Sequence, residues 1–126
     1  MIDNPPLVSV VDDDESVRES LPDLLRELGF AAEAFSSAEE FLASESLGRT
    51  RCLVLDVAMV GMSGPELQEE LARRRHAIPI VFITAQQDES ICPRVLAAGA
   101  VACLLKPFRD TALNEAVSAA VFGARS

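Results

Sequence analysis

Cys52-Leu53-Val54-Leu55-Asp56 decides how the rest of the chain is read. Four apolar residues in succession predict a strand buried on both faces. The run stops at a carboxylate, and Met59, Gly61, Ser63 and Gly64 beyond it read as a loop. Open α/β sheets keep their ligands outside the carboxyl ends of such strands. Asp56 is therefore the first candidate functional residue.

Working outward, the same pattern recurs. Leu7-Val8-Ser9-Val10-Val11 predicts a first strand and ends in Asp12-Asp13-Asp14-Glu15. Val17, Leu21, Leu24, Leu25 and Leu28 then recur at helical spacing, with Gly29 as the stop. Pro22 inside that helix removes a backbone bond and predicts a kink. Ala31 to Phe35 is a weaker second strand, and Ser37 with Glu40 predicts a capping box opening a second helix. Ser63 and Glu66 predict another, with Pro65 in the first turn and Leu67 and Leu71 facing the core.

Ile80-Val81-Phe82-Ile83-Thr84 is the fourth strand. Val95, Leu96 and Ala98 belong to a fourth helix stopped at Gly99. Pro93 is tolerated only in a first turn, so this helix starts late, at Ser90 or Cys92, and leaves Gln86 to Ile91 as a longer, looser connection. Val101 to Leu105 is the fifth strand, ending at Lys106-Pro107. Asp110 is the expected cap of a last helix with Leu113, Val117, Ala120 and Val121 inward.

Five strand-then-helix repeats imply an α/β fold with a parallel sheet covered on both faces. Right-handed crossovers leave few topologies. A doubly wound order 2-1-3-4-5 places strands one and three together at the switch point. Residues 1–126 read as one domain with one core.

Composition narrows the function. Hydrophobic residues make up 49% of 126, ample for a packed interior. A net charge of −9 opposes nucleic acid and anionic membrane surfaces and suits a basic partner or a divalent cation. Cys52, Cys92 and Cys103 lie in or near apolar segments without CxxC spacing. They predict buried thiols in a reducing compartment, no disulfide framework, and a cytoplasmic location. The opening Met1 to Pro6 is short and polar and predicts no secretory leader, and no apolar run approaches spanning length.

The chemistry lies at the strand ends. Asp12 and Asp13, Asp56, Thr84 and Lys106 follow strands one, three, four and five, and this topology brings those ends to one edge. Two carboxylates about 4 Å apart repel by roughly 4 kcal/mol at a near-surface dielectric. Such a cluster calls for a cation, and a hard divalent ion with oxygen ligands, Mg²⁺, fits best. The loop after strand one holds no glycine to cradle a phosphate on backbone N–H groups, which argues against a dinucleotide or P-loop site. Acids, metal, lysine and hydroxyl together suit phosphoryl transfer, with Asp56 a candidate nucleophile.

At this point the chain resembles the receiver domain of bacterial two-component response regulators, most closely the FixJ-like branch. The matching motifs are Val11-Asp12-Asp13-Asp14-Glu15, Leu55-Asp56 with Met59 and Met62-Ser63-Gly64, Ile83-Thr84, Ala98-Gly99-Ala100 and Lys106-Pro107-Phe108. The resemblance implies a flavodoxin-like (βα)5 fold. It implies that Asp56 is the phosphoacceptor, and that Mg²⁺ is held by Asp13, Asp56 and the backbone carbonyl of Ala58, with Asp12 acting partly through water. Thr84 would hydrogen-bond the phosphoryl group, Lys106 would pair with it, and Lys106-Pro107 would be cis. It also implies a sensor histidine kinase as phosphoryl donor and a homodimer through the face of helix four, strand five and helix five. Such a domain catalyses its own phosphorylation and dephosphorylation and is a switch, not a metabolic enzyme.

Three positions depart from the family pattern. Val60 replaces the usual proline after the loop methionine, with Gly61 next, which predicts a more mobile loop. Cys103 replaces the switch aromatic on strand five, and Pro93 interrupts helix four. The competing readings are a constitutive dimerisation or docking module on the same fold and a flavin binder. The latter is disfavoured because the chain has no tryptophan or tyrosine to stack on the ring. Asp14 reads as a helix cap, His76 as solvated, Met59 and Met62 as gap-filling, and Cys92 and Cys103 as packing residues.

Overall fold

Successive side chains of a strand point to opposite faces of its sheet, and in this chain that alternation sets both layers. The computed structural model describes residues 4–123, apart from the side chain of Gln86. Its elements are β1 (Leu7–Val11), α1 (Glu15–Glu27), β2 (Ala31–Phe35), α2 (Ala38–Leu42), β3 (Thr50–Asp56), α3 (Gly64–Arg73), β4 (Ile80–Thr84), α4 (Cys92–Ala97), β5 (Ala102–Leu105) and α5 (Asp110–Phe122). Short 3-10 turns cover Glu45–Gly48 and Gln86–Ile91. All strand pairs are parallel, in the order β2-β1-β3-β4-β5, as the sequence predicts.

On one face Val8, Val10, Cys52, Val54, Val81 and Ile83 pack with Leu21 and Leu25 of α1 and Leu113, Val117 and Val121 of α5. On the other, Leu53, Leu55, Ile80 and Phe82 pack with Phe41 of α2, Leu67 and Leu71 of α3 and Val95 of α4. Phe41, Phe82, Leu25, Leu53 and Leu67 are fully buried. Truncating a residue such as Phe82 to alanine costs on the order of 3–5 kcal/mol. That rigidity is what holds the strand ends in register.

Several local expectations are met and others are corrected. Asp14 caps α1, its carboxylate accepting from the backbone N–H and hydroxyl of Ser16. α1 continues across Pro22, which is buried on its inner side. Ser63 and Glu66 form the full reciprocal box at α3. At α2 the box is only half made: Ser37 accepts from the Glu40 N–H, but the Glu40 carboxylate turns to the N–H and hydroxyl of Ser36. Asp110 is not the cap of α5; it is the first helical residue, and Arg109 stands at the cap.

α4 starts at Cys92 with Pro93 in its first turn, as the proline demands. The segment before it is not a loose connection, because Gln86–Ile91 winds as a 3-10 turn, broken only at Asp88. The cysteine reading is corrected too. Cys92 and Cys103 form a disulfide, their Cα atoms 5.6 Å apart. Nothing in their spacing of 11 residues announces the bond; the return of α4 onto β5 brings them together. Cys52 is a free thiol, and burial pushes its pKa up to about 12.

Candidate functional site

β1, β3 and β5 deliver one charged residue each to the carboxyl edge of the sheet. Asp12 follows Val8 and Val10 in strand alternation, Asp56 follows Cys52 and Val54, and Lys106 follows Ala102 and Leu104. All three series belong to the face covered by α1 and α5. The consequence is contact: Lys106 Nζ lies 3.3 Å from Asp12 Oδ2 and 3.5 Å from Asp56 Oδ1.

Asp12 is fully buried and held at every polar atom described. Its backbone N–H donates to the carbonyl of Phe35 at 3.1 Å, and its Oδ1 accepts from the N–H of Asp14 at 2.9 Å. Its own carbonyl accepts from Arg18 Nη1 at 3.0 Å. Asp13 is exposed, and its Oδ2 accepts the N–H of Val60 at 3.1 Å. The loop expected to be mobile is thus tied at Val60, and again at Met62, whose N–H donates to Glu39 Oε2 at 3.1 Å.

One carboxylate oxygen each from Asp12, Asp13 and Asp56 lies within 4.8 Å of the others. Three negative charges then face the single charge of Lys106, since Arg18 reaches a carbonyl instead. Burial, then the neighbouring Asp12, pushes the Asp56 carboxyl up to about 6, against the pull of Lys106. Burial likewise raises Asp12. Burial alone would lower the Lys106 ammonium, but Asp56 and Asp12 together outweigh it and leave its pKa raised. A cluster that holds protons above their ordinary range lacks positive charge. Its donors are hard carboxylate oxygens at close quarters, a set that fits Mg²⁺ and offers nothing to a soft metal.

Thr84 ends β4 in the other alternation series, with Ile80 and Phe82, so it belongs to the α4 side of the edge. It is buried, and its hydroxyl makes only a 3.4 Å contact with the carbonyl of Ala85. Ala58 is exposed in the loop after β3. The Lys106-Pro107 bond is cis, as the resemblance implies.

Sequence reasoning did not read the role of two supporting residues, one of them the Gly64 already noted in the loop. Gly64 has no room for a side chain: a Cβ there would stand 2.3 Å from the carbonyl oxygen of Asp56 and 3.0 Å from the ring of Phe82. Its N–H also donates to the carbonyl of Val57 at 2.9 Å. Glu39 is the other, a carboxylate on α2 that clasps the loop after β3 across 23 residues. A glycine directly after a capping serine was a usable signal for the first; nothing in the sequence pointed to the second. His76, read as solvated, is half-buried.

A doubly wound five-stranded sheet with an Asp-Asp, Asp and Lys constellation at its switch point defines a class, and comparison agrees. The response regulator receiver domain family matches residues 8–118, and the chain belongs to that family. It is 49% identical over 114 residues to nodulation protein W of Bradyrhizobium diazoefficiens, covering 90% of this chain and 50% of that protein. It is 42% identical over 113 residues to the transcriptional regulatory protein FixJ of Rhizobium meliloti, covering 90% and 55%. Among solved structures, the response regulator StyR superposes with a TM-score of 0.86 at 48% identity, over 94% of this chain and 60% of that one. The FixJ-N crystal structure gives 0.85 at 38% identity, over 100% and 99%. The chain thus spans about half the length of the curated relatives it matches. Receiver domains as a family bind Mg²⁺ at an acidic cluster and serve signalling with histidine kinases. No helix among the described residues is long and apolar enough to cross a membrane.

Proposed function

We propose that residues 1–126 act as a single receiver domain and a phosphorylation-dependent switch of a two-component system, with Asp56 as acceptor. The observation that carries this reading is Lys106 set between Asp12 and Asp56 at the sheet edge, 3.3 and 3.5 Å away. A carboxylate oxygen of Asp56 attacks the phosphorus of a phosphohistidine on a sensor kinase. The P–N bond breaks, the imidazole keeps the electron pair and takes a proton, and an aspartyl phosphate remains. Lys106 offsets charge on the transferred group, and Arg18 and Asp14 fix Asp12 so that the acidic pocket does not reorganise. Asp13, Asp56 and the carbonyl of Ala58 would hold Mg²⁺ directly, with Asp12 partly through water. When bound, the ion neutralises the oxygens of the phosphoryl group.

The Thr84 hydroxyl, poorly engaged where it stands, donates to a phosphoryl oxygen. Its movement is felt by the 3-10 turn that follows, and so by α4. Changed contacts then arise on the face of α4, β5 and α5, where Leu96 and Val101 are exposed, and a second copy of the chain is the proposed occupant. Beyond the kinase and that copy, the acidic surface engages neither nucleic acid nor membrane. The domain works in the cytoplasm and catalyses only its own phosphorylation and dephosphorylation.

Incubation with acetyl phosphate and Mg²⁺ tests this by intact mass. Addition of one phosphoryl group that disappears in Asp56→Asn is the expected result. Equal labelling of the variant would remove Asp56 from its role, and no labelling of either would favour a constitutive docking module.

A further inference from the structure

The Cys92–Cys103 disulfide joins the start of α4 to β5. Cys92 is the first residue of α4, directly after the 3-10 turn Gln86–Ile91 that leads from Thr84. Cys103 sits within β5, opposite Phe82 in the sheet register. The bond therefore ties the leading end of α4 to the sheet.

Little else holds that helix. Of its six residues only Val95 is buried; Pro93, Arg94, Leu96 and Ala97 are exposed. Ile91 and Ala100 add partial packing at the two ends, and Gln68 Nε2 donates to the Val95 carbonyl at 3.1 Å. Segments with few buried contacts open at low free energy, so a single covalent tie decides their mobility.

The bond is also open to exchange. Both half-cystines are partly exposed rather than buried in the core. Cys52 cannot intercept it. That thiol lies fully buried on the opposite face of the sheet, among Val8, Val54 and Val81, and burial holds it protonated. In the cytoplasmic setting proposed above, a disulfide is characteristically transient and redox-sensing rather than a permanent staple.

We infer that Cys92–Cys103 is a reversible redox latch on the output face, a statement that rests on the receiver reading for its consequence. In the oxidised form the connection from Thr84 to α4 is pinned to β5. Reduction proceeds by thiol–disulfide exchange with a dithiol. One thiolate of the reductant attacks a sulfur of the pair, the other cysteine leaves as thiolate, and the second reductant thiol resolves the mixed disulfide. Two electrons and two protons pass to Cys92 and Cys103, which become thiols, and the reductant becomes a disulfide. The released α4 can then follow Thr84.

Maleimide counting on the denatured chain after equilibration with glutathione buffers should find one free thiol under oxidised glutathione and three under reduced dithiothreitol. Hydrogen exchange then compares the two forms, each with and without acetyl phosphate and Mg²⁺. Amides from 87 to 97 are expected to exchange roughly tenfold or more faster in the reduced form. Phosphorylation should alter them only in that form, while Asp56 is labelled in both. The double variant Cys92→Ser, Cys103→Ser should match the reduced protein and ignore dithiothreitol. Three free thiols under oxidised glutathione, or equal exchange in both forms, would overturn the latch. Failure of Asp56 labelling in both forms, with the exchange difference intact, would overturn the receiver reading and leave the latch standing.

Discussion

Lys106 Nζ reaches Asp12 at 3.3 Å and Asp56 at 3.5 Å, so one ammonium joins the carboxyl ends of three strands. Removing it leaves two buried carboxylates facing each other. Breaking a fully buried pair costs about 3–5 kcal/mol. With the Lys106 side chain 30% exposed, about 1–2 kcal/mol is the expected loss for Lys106→Met. Urea unfolding in chelator should show that loss, and millimolar Mg²⁺ should recover part of it. An unchanged midpoint would mean that solvent already screens the carboxylates.

Protonation should act on the same cluster with an uncommon sign. The folded Asp56 carboxyl titrates at about 6, above the ordinary unfolded value near 3.9. The folded state therefore binds the proton more tightly. The contribution of Asp56 to stability grows as pH falls from about 7 through 6 and levels off below about 4. Asp14, Glu40 and Glu70 are lowered by their hydrogen bonds and oppose this, losing their contribution as pH falls. Asp56→Asn isolates the effect. In metal-free buffer the variant should melt higher than the parent at pH 7, and the gap should close at pH 5. A gap independent of pH would refute the assignment of the raised titration to Asp56.

Thr84→Val separates structure from response. The hydroxyl has one long contact, 3.4 Å to the carbonyl of Ala85, so under about 1 kcal/mol of stability is expected to be lost. In the reduced protein, labelling of Asp56 should persist, whereas the exchange change beyond residue 86 on phosphorylation should vanish. Retention of that change would show that the movement does not pass through Thr84.

Gly64→Ala probes the support beneath Asp56. A methyl group 2.3 Å from the Asp56 carbonyl oxygen forces the β3 end or the start of α3 to move. Overpacking of this kind costs about 1–3 kcal/mol. Because Asp56 itself is displaced, labelling with acetyl phosphate should slow by about tenfold or more, as misplacement near 1 Å does in reacting groups. Normal labelling in a destabilised variant would confine Gly64 to packing.

Strands were legible because buried parallel strands are written as unbroken apolar runs, as in Leu53 to Leu55 and Ile80 to Ile83. Much of the site followed from topology, since Asp12, Asp56, Thr84 and Lys106 each end such a run, whereas Ala58 came only from the family resemblance. What escaped reading depends on contacts between distant segments. Glu39 meets Met62 across 23 residues, and Cys92 meets Cys103 only once α4 has folded back. Cap details escaped for a local reason: the Glu40 carboxylate takes the N–H and hydroxyl of Ser36, a choice that the Ser37–Glu40 spacing alone does not reveal.

Asp12, Asp56 and Lys106 share one pleat series, while Thr84 and Cys103 share the other. Strand length is therefore under tighter constraint than strand composition. Exchanging one aliphatic residue for another within Leu53 to Leu55 alters volume and leaves every end group aimed where it was. Deleting a single residue from β3 inverts the phase of everything after it: Asp56 would turn toward α3, out of reach of Lys106, while the sheet could still form. Drift in such a chain can exchange one apolar letter for another of similar volume, but it cannot change their number by one.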